Sequence, residues 1–433
     1  MSQPASQPAS KFASLSATQY LSALHIHCIY AAGRPLGSVY FGGGTPSLMP
    51  PRLLARIMRT LRERYGLAQD FECTLEMDPG TFDAERLTAF LDAGVTRVSL
   101  GVQSFDQALL TACGRAHTME DAERALELLG AAMGNGELTE LSVDLIGGLP
   151  GQSSAQWRHS LSRAAESVAT HVSVYDLQVE AGTAFGRWTA AGKEFGLPDD
   201  DVGAQMFRDA STVLGGAGFE RYEVSSFARP GHRCKHNRAY WRNEAFWGFG
   251  LGATSHVGQR RLARPRKMDD YRMYVASLEG EGGWETQQQL MGEAETEAEV
   301  LQTELMLALR TDVGVNTAAI AARFPRDGLG AAAAAACADA ARELPAAWVE
   351  FEAADAERDD TLSGDNATGD NATGGEALEG GARRLRLSDP EGLLFSNDAI
   401  STVFARLEER LEATARRDAR ASKKNTKKGE QWA

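Results

Sequence analysis

The chain has 433 residues, 43% of them hydrophobic and 24% charged, with 45 Lys and Arg against 59 Asp and Glu for a formal charge of -14. That length exceeds what one core usually supports, about 250 to 300 residues, so two domains are expected, and the acidic balance excludes a surface that binds nucleic acid or anionic membrane non-specifically. No apolar run reaches the roughly 18 residues of a membrane span, and the opening M-S-Q-P-A-S-Q-P-A-S lacks the charged and apolar regions of a secretory signal, so a cytoplasmic protein is expected.

In chain order, residues 1–15 are expected to be disordered, and the run from Tyr20 through Leu24-His25-Ile26-His27-Cys28 is expected to be a crossover helix. Short β-rich runs then fall at Ser38–Phe41, Phe71–Glu76, Arg97–Gly101, Leu141–Ile146, Val172–Leu177 and Phe219–Val224. Between the first two, Leu53, Leu54, Ile57, Met58 and Leu61 recur at helical spacing over Arg52–Tyr65, and Gly66 stands where such a helix would stop. Strand, helix and strand in repetition means βαβ units and a parallel sheet: an α/β fold, a whole or partial (β/α) barrel over 16–290, with an open doubly wound sheet as the alternative.

Past residue 290 the texture changes. Glu297–Leu309 and an alanine-rich stretch over 331–345 predict helices, a strand pair is expected to turn at Asp389-Pro390-Glu391-Gly392, and a last helix should begin near Asp398. These make a small α+β domain of winged-helix character over 291–415. Within it, 359–381 repeats D-N-A-T-G with no apolar periodicity and is expected to be a disordered insertion. The end, 416–433, reads as a solvated basic tail. The five cysteines, Cys28, Cys73, Cys113, Cys234 and Cys337, are scattered with no C-x-x-C pair, so isolated reduced thiols are expected.

In a (β/α) barrel the strands' carboxyl ends converge on the rim where active sites are built. The strand ends here carry Gly42-Gly43-Gly44-Thr45-Pro46, then Glu76 in E-M-D-P-G, Gln103, and Asp144 inside S-V-D-L-I. The glycines suit either a tight turn or a backbone that approaches a ligand closely. Glu76 suits either a ligand's hydroxyl or amine or an exposed capping role. Asp144 in an apolar strand is costly to bury without a partner. Arg115 in C-G-R-A-H could engage a ligand carboxylate.

The runs S-V-Y-F-G-G-G-T-P-S-L, R-V-S-L-G-V-Q-S-F-D, L-S-V-D-L-I-G-G-L-P-G-Q, V-S-V-Y-D-L-Q-V-E-A-G-T-A-F, Y-E-V-S-S-F-A-R-P-G and G-F-G-L-G-A-T-S-H, in this order, resemble the branch of radical S-adenosylmethionine (radical SAM) proteins that contains HemW and the oxygen-independent coproporphyrinogen III oxidases. The resemblance covers about residues 16 to 315 strongly and the rest loosely. It implies a radical SAM barrel in which Gly44, Thr45, Glu76, Gln103, Arg115 and Asp144 hold S-adenosylmethionine, Asp144 at its ribose. The segment His236-Asn237-Arg238-Ala239-Tyr240-Trp241 is similar to the H-N-x-x-Y-W motif of the HemW branch, which implies haem beside His236; the residues alone favour a histidine hydrogen-bonded in a loop against aromatics. The implied function is a haem chaperone that delivers haem to acceptor proteins. The alternatives are an oxygen-independent coproporphyrinogen III oxidase of porphyrin biosynthesis and a scaffold with neither activity.

One departure stands out. The family binds a 4Fe-4S cluster through C-x-x-x-C-x-x-C after the first barrel strand, and this sequence contains no such triplet. The first strand and its loop are therefore expected to be missing, and the abrupt start favours a coding start further upstream over loss of the cluster.

Overall fold

The computed structural model describes residues 25–29, 34–179, 186–187, 190–192, 196–278, 291–354 and 382–430. The expected disordered N-terminus, most of the expected crossover helix and the 359–381 insertion lie outside them. Among the described residues no helix is long and apolar enough to cross a membrane.

The first element corrects the sequence reading. His25–Ile29 is a strand, β1, where a helix was expected, and it runs antiparallel to β2 (Leu36–Gly42), with Cys28 opposite Val39. The reason is length: the 6 residues between them can close an antiparallel pair, whereas a parallel crossover takes a dozen or more. The place beside β2 is thus filled, by a strand of opposite direction.

From β2 the chain alternates regularly through α1 (Pro51–Tyr65), β3 (Leu67–Met77), α2 (Ala84–Asp92), β4 (Arg97–Gln103), α3 (Gln107–Ala112), α4 (Met119–Gly134), β5 (Glu140–Gly147), α5 (Ser154–Glu166) and β6 (His171–Asp176). Helix α1 buries Leu54, Met58 and Leu61 and ends at Gly66, whose φ of 71° is the left-handed value a helix stop favours. Strands β2 to β6 pair in parallel in sequence order. A doubly wound sheet reverses its order midway; this one does not, so the carboxyl ends of five consecutive strands lie along one edge. At the opposite ends of the strands the buried Arg97 of β4 lies 3.9 Å from Glu72 of β3 and 3.6 Å from Glu140 of β5, so its charge is met inside the sheet.

Then come α6 (Asp200–Gly216), the β7 (Glu220–Arg221) and β8 (Ser226–Ala228) hairpin, α7 (Lys235–Trp241), the antiparallel strands β9 (Phe246–Phe249), β10 (Thr254–Val257) and β11 (Arg260–Ala263), and α8 (Met268–Leu278). Strand β9 pairs with β1, which continues the sheet past its antiparallel edge. The last part holds α9 (Glu297–Ala308), β12 (Val315–Asn316), α10 (Thr317–Arg323), α11 (Leu329–Glu343), β13 (Val349–Ala353), β14 (Arg383–Leu387), α12 (Glu391–Leu394) and α13 (Ser396–Glu430). Helix, strand, two helices and two strands, with β14 central in the sheet β12-β14-β13, is a winged-helix order.

One expectation here is corrected. Asp389-Pro390-Glu391-Gly392 does not turn a strand pair; β13 and β14 flank the insertion, and this tetrapeptide opens α12 after β14. The basic stretch from 416 continues α13 as helix to Glu430.

The chain divides into two compact units, one of Met1–Pro198, Cys234–His236 and Glu244–Ala294, the other of Asp199–Arg233, Asn237–Asn243 and Glu295–Ala433. This differs from a single cut at residue 290 because α6 packs into the second unit: Phe207 joins its core with Leu301, Leu305, Ala333, Leu385 and Val403, and Arg208 grips Glu391 at 2.6 and 2.9 Å.

Candidate functional site

The glycine run after β2 is dictated by its surroundings. Gly43 and Gly44 sit at φ of 74° and 55°, where a side chain is strained. A Cβ on Gly42 would meet the Tyr40 ring at 2.7 Å and Glu76 Oε1 at 3.0 Å. This leaves room for Glu76, at the end of β3, to accept 2.7 Å from the Tyr40 hydroxyl and 3.0 Å from the Gly43 amide. Burial nevertheless raises the Glu76 pKa, opposed by the Tyr40 hydrogen bond, and burial also raises Tyr40 well above its usual value.

One strand further, Gly101 has the same function for its neighbours. A Cβ there would stand 2.7 Å from Gln103 Nε2 and 3.0 Å from Asp78 Oδ1. Gln103 itself is at φ 67°, a conformation few non-glycine residues adopt, where the pairing of β4 with β5 shifts register. Asp78 is held from the other side by Thr45 Oγ1 at 3.2 Å.

On β5, Asp144 accepts from Ser99 at 2.6 Å and from Ser142 at 3.0 Å. Ser142 also meets His171 Nδ1 at 2.8 Å. Burial raises Asp144 despite the hydroxyl donors Ser99, Ser173 and Ser142 and the charge of Arg97. Burial, aided by the same arginine, pushes His171 well below the usual histidine value, so it is neutral.

Gly44, Thr45, Glu76, Gln103, Arg115 and Asp144, the six expected rim residues, line one cavity of about 280 Å³. Tyr40, Asp78, Ser99, Gly101 and Tyr175 line it too and were not singled out from the sequence. The strand period could have found two of them: Tyr40 and Ser99 face the same way as residues two positions along their strands, Gly42 and Gly101. Three carboxylates around a small cavity favour a ligand that brings cationic groups and hydroxyls; Arg115 offers a guanidinium for a carboxylate. These groups fit S-adenosylmethionine.

The seventh expected residue, His236, is not in that cavity. Its side chain is 1% exposed, Nδ1 lies 2.8 Å from Ser38 Oγ, and the ring stacks on Tyr40 with centroids 5.1 Å apart. Glu72 holds the same segment, accepting from the His236 amide at 3.0 Å and the Lys235 amide at 3.1 Å. Ligation of haem iron needs an accessible nitrogen, whereas the ring here is buried, hydrogen-bonded and packed against an aromatic ring, the arrangement of the other reading.

The thiols do not fit an iron–sulfur cluster. Cys28, Cys73, Cys234 and Cys337 are buried and form no disulfide, burial pushes the Cys28 thiol up to about 12, and no C-x-x-x-C-x-x-C run brings three thiols together. Among the described residues no group of three His, Cys, Asp or Glu could hold a metal ion. No step is derived through such a cluster.

Comparison with known proteins agrees with the barrel. The profile of the radical SAM superfamily matches residues 28–164. The chain is 37% identical over 377 residues to the heme chaperone HemW of Synechocystis, covering 87% of this chain and 85% of that one. It is 40% identical over 228 residues to HemW of Escherichia coli, covering 53% and 58%. It is 38% identical over 285 residues to the mouse mitochondrial radical S-adenosyl methionine domain-containing protein 1, covering 64% and 62%. Among solved structures, coproporphyrinogen III oxidase (HemN) from Escherichia coli superposes with a TM-score of 0.64 over 86% of this chain and 78% of its own, at 19% identity, a likeness of fold.

Proposed function

The chain belongs to the HemW family of radical SAM proteins, and from that premise we propose that it is a haem-binding chaperone whose barrel rim holds S-adenosylmethionine and which hands haem to acceptor proteins.

One observation carries the rim assignment: six residues from four strand ends and the loop after α3 converge on one cavity of about 280 Å³. In this reading Asp144, aimed by Ser99 and Ser142, accepts from ribose hydroxyls. Glu76, aimed by Tyr40 and the Gly43 amide, meets the ligand's ammonium. Arg115 meets its carboxylate, and Gly44 lets backbone approach. S-adenosylmethionine, when bound, supplies a sulfonium cation, whose charge the three carboxylates favour. Since the described residues supply no cluster thiols, the reading is one of binding. Porphyrin decarboxylation finds no observation in its favour, because the likeness to HemN is of fold alone.

Calorimetric titration of S-adenosylmethionine into the full chain tests this. Saturable binding that weakens at least 10-fold in Asp144→Ala is expected, a change worth about 1.4 kcal/mol; equal affinity in the two proteins would remove Asp144 from the site.

A further inference from the structure

Behind Asp144 lies a row of polar side chains made by the strand register. Ser99 of β4 is opposite Ser142 of β5, and Ser142 is opposite His171 of β6. Ser142, His171 and Ser173 are buried, and none of the three is among the described residues of the rim cavity, whereas Ser99 and Asp144 line it. A parallel strand covered on both faces is ordinarily an apolar run, so an imidazole inside one calls for a partner.

Proton counting gives this row a direction. An ionised carboxylate only accepts, and a hydroxyl has one proton to give. Ser142 Oγ is 3.0 Å from Asp144 Oδ1, so the Ser142 hydroxyl donates to the carboxylate; turned elsewhere, it would leave two oxygens facing each other at that distance with no proton between them. The same Oγ lies 2.8 Å from His171 Nδ1. There it can only accept, so Nδ1 carries the hydrogen, and because burial keeps the ring neutral, Nε2 does not. Ser173 Oγ, 3.2 Å from Ser142 Oγ, can donate to it but cannot take its proton. From β4, Ser99 donates to Asp144 Oδ2 at 2.6 Å.

We propose that His171 is a positioning residue for the ribose carboxylate: its Nδ1–H donates to Ser142, which turns the Ser142 hydroxyl onto Asp144 Oδ1 and holds that carboxylate between Ser142 and Ser99. The inference rests on the S-adenosylmethionine reading of the rim, and His171 acts in it through Ser142 rather than by touching the ligand. Without the Nδ1 donor the Ser142 hydroxyl can rotate towards Ser173, and Asp144 loses one of the hydroxyls that aim it. Hydrogen bonds linked in a buried chain strengthen one another, and at metal sites the outer partners that orient a ligating group are worth about 10- to 100-fold in affinity.

Two measurements on the full chain test this. Nitrogen NMR of the histidine-labelled wild-type protein, with the His171 signals identified by their loss in His171→Phe, should place the ring hydrogen on Nδ1; a hydrogen on Nε2 would overturn the proposal. Titration of S-adenosylmethionine into three variants, each with its Tm, separates positioning from packing. An asparagine amide nitrogen occupies the place of Nδ1 but leaves part of the ring's space empty, a glutamine amide reaches only the place of Nε2, and a phenylalanine ring fills the space with no donor. His171→Asn should therefore bind within about 3-fold of wild type although its Tm lies below that of His171→Phe, while His171→Gln and His171→Phe weaken about 10-fold. Affinities that follow Tm across the three variants, or that equal wild type in His171→Gln and His171→Phe, would overturn the role of His171 and leave the rim reading standing. Failure of the wild-type chain to bind S-adenosylmethionine at all would overturn the rim reading and this inference with it.

Discussion

The Tyr40 hydroxyl donates a 2.7 Å hydrogen bond to Glu76 Oε1, and the ring behind it stacks on His236. Two motifs nearly 200 residues apart in the chain thereby share one arrangement: the histidine supports the tyrosine, and the tyrosine aims the carboxylate. Removing the hydroxyl in Tyr40→Phe takes away the donor that opposes burial at Glu76, so the Glu76 pKa should rise further. A hydrogen bond to a charged group is worth about 1.5 to 3 kcal/mol. Affinity for S-adenosylmethionine should fall roughly 10-fold near neutral pH and recover part of the loss as pH rises, because the ionised carboxylate binds the cation; a pH-independent affinity equal to wild type would contradict this.

Asp144 sets function against stability. Its pKa is raised in the fold by burial, so the unfolded chain gives up this proton at lower pH than the folded one. The resulting penalty is absent below the ordinary carboxylate pKa, about 3.9, grows as pH rises through the raised folded value and is complete above it. Asp144→Asn keeps the shape and removes the charge. The variant should be more stable than wild type near pH 7, with the difference shrinking as pH falls towards 4, while S-adenosylmethionine binding is weakened. Urea unfolding at the two pH values checks it; equal stability at pH 7 would count against a buried, disfavoured carboxylate.

Gly101→Ala should spare the fold and disturb the rim. The added carbon would stand 2.7 Å from Gln103 Nε2 and 3.0 Å from Asp78 Oδ1, both ends of side chains that can move, but only out of their present places. Thermal unfolding within a few degrees of wild type, with S-adenosylmethionine affinity lowered several-fold, is the expected pair of results. A large loss of stability with unaltered binding would reverse the assignment.

His236→Ala should act through packing. It leaves Ser38 without its 2.8 Å partner and Tyr40 without its stacking ring, at a cost of about 1 to 3 kcal/mol. The position of the Soret maximum in the haem-loaded protein should not move, because the ring is buried and hydrogen-bonded. A shifted Soret maximum with unchanged stability would restore the histidine to the iron.

Much of this was legible in the chain. The parallel strands could be read because their apolar runs alternate with the amphipathic stripe of helices such as α1, and the rim residues because polar side chains at strand ends in such a fold have one place to converge. What escaped depended on partners far along the sequence. Whether His236 is open or buried is decided by Ser38, 198 residues away. The allegiance of α6 is decided by Glu391, 183 residues beyond Arg208. The direction of β1 follows from a short connection and from pairing with β9, neither of which shows in the local pattern of His25-Ile26-His27-Cys28-Ile29.

The central claim, that this chain carries haem, is tested most directly by titrating haem into the purified full chain and following the Soret band. The account predicts a band that grows and saturates at one haem per chain; a rise proportional to added haem with no saturation, matching haem in buffer, would contradict it.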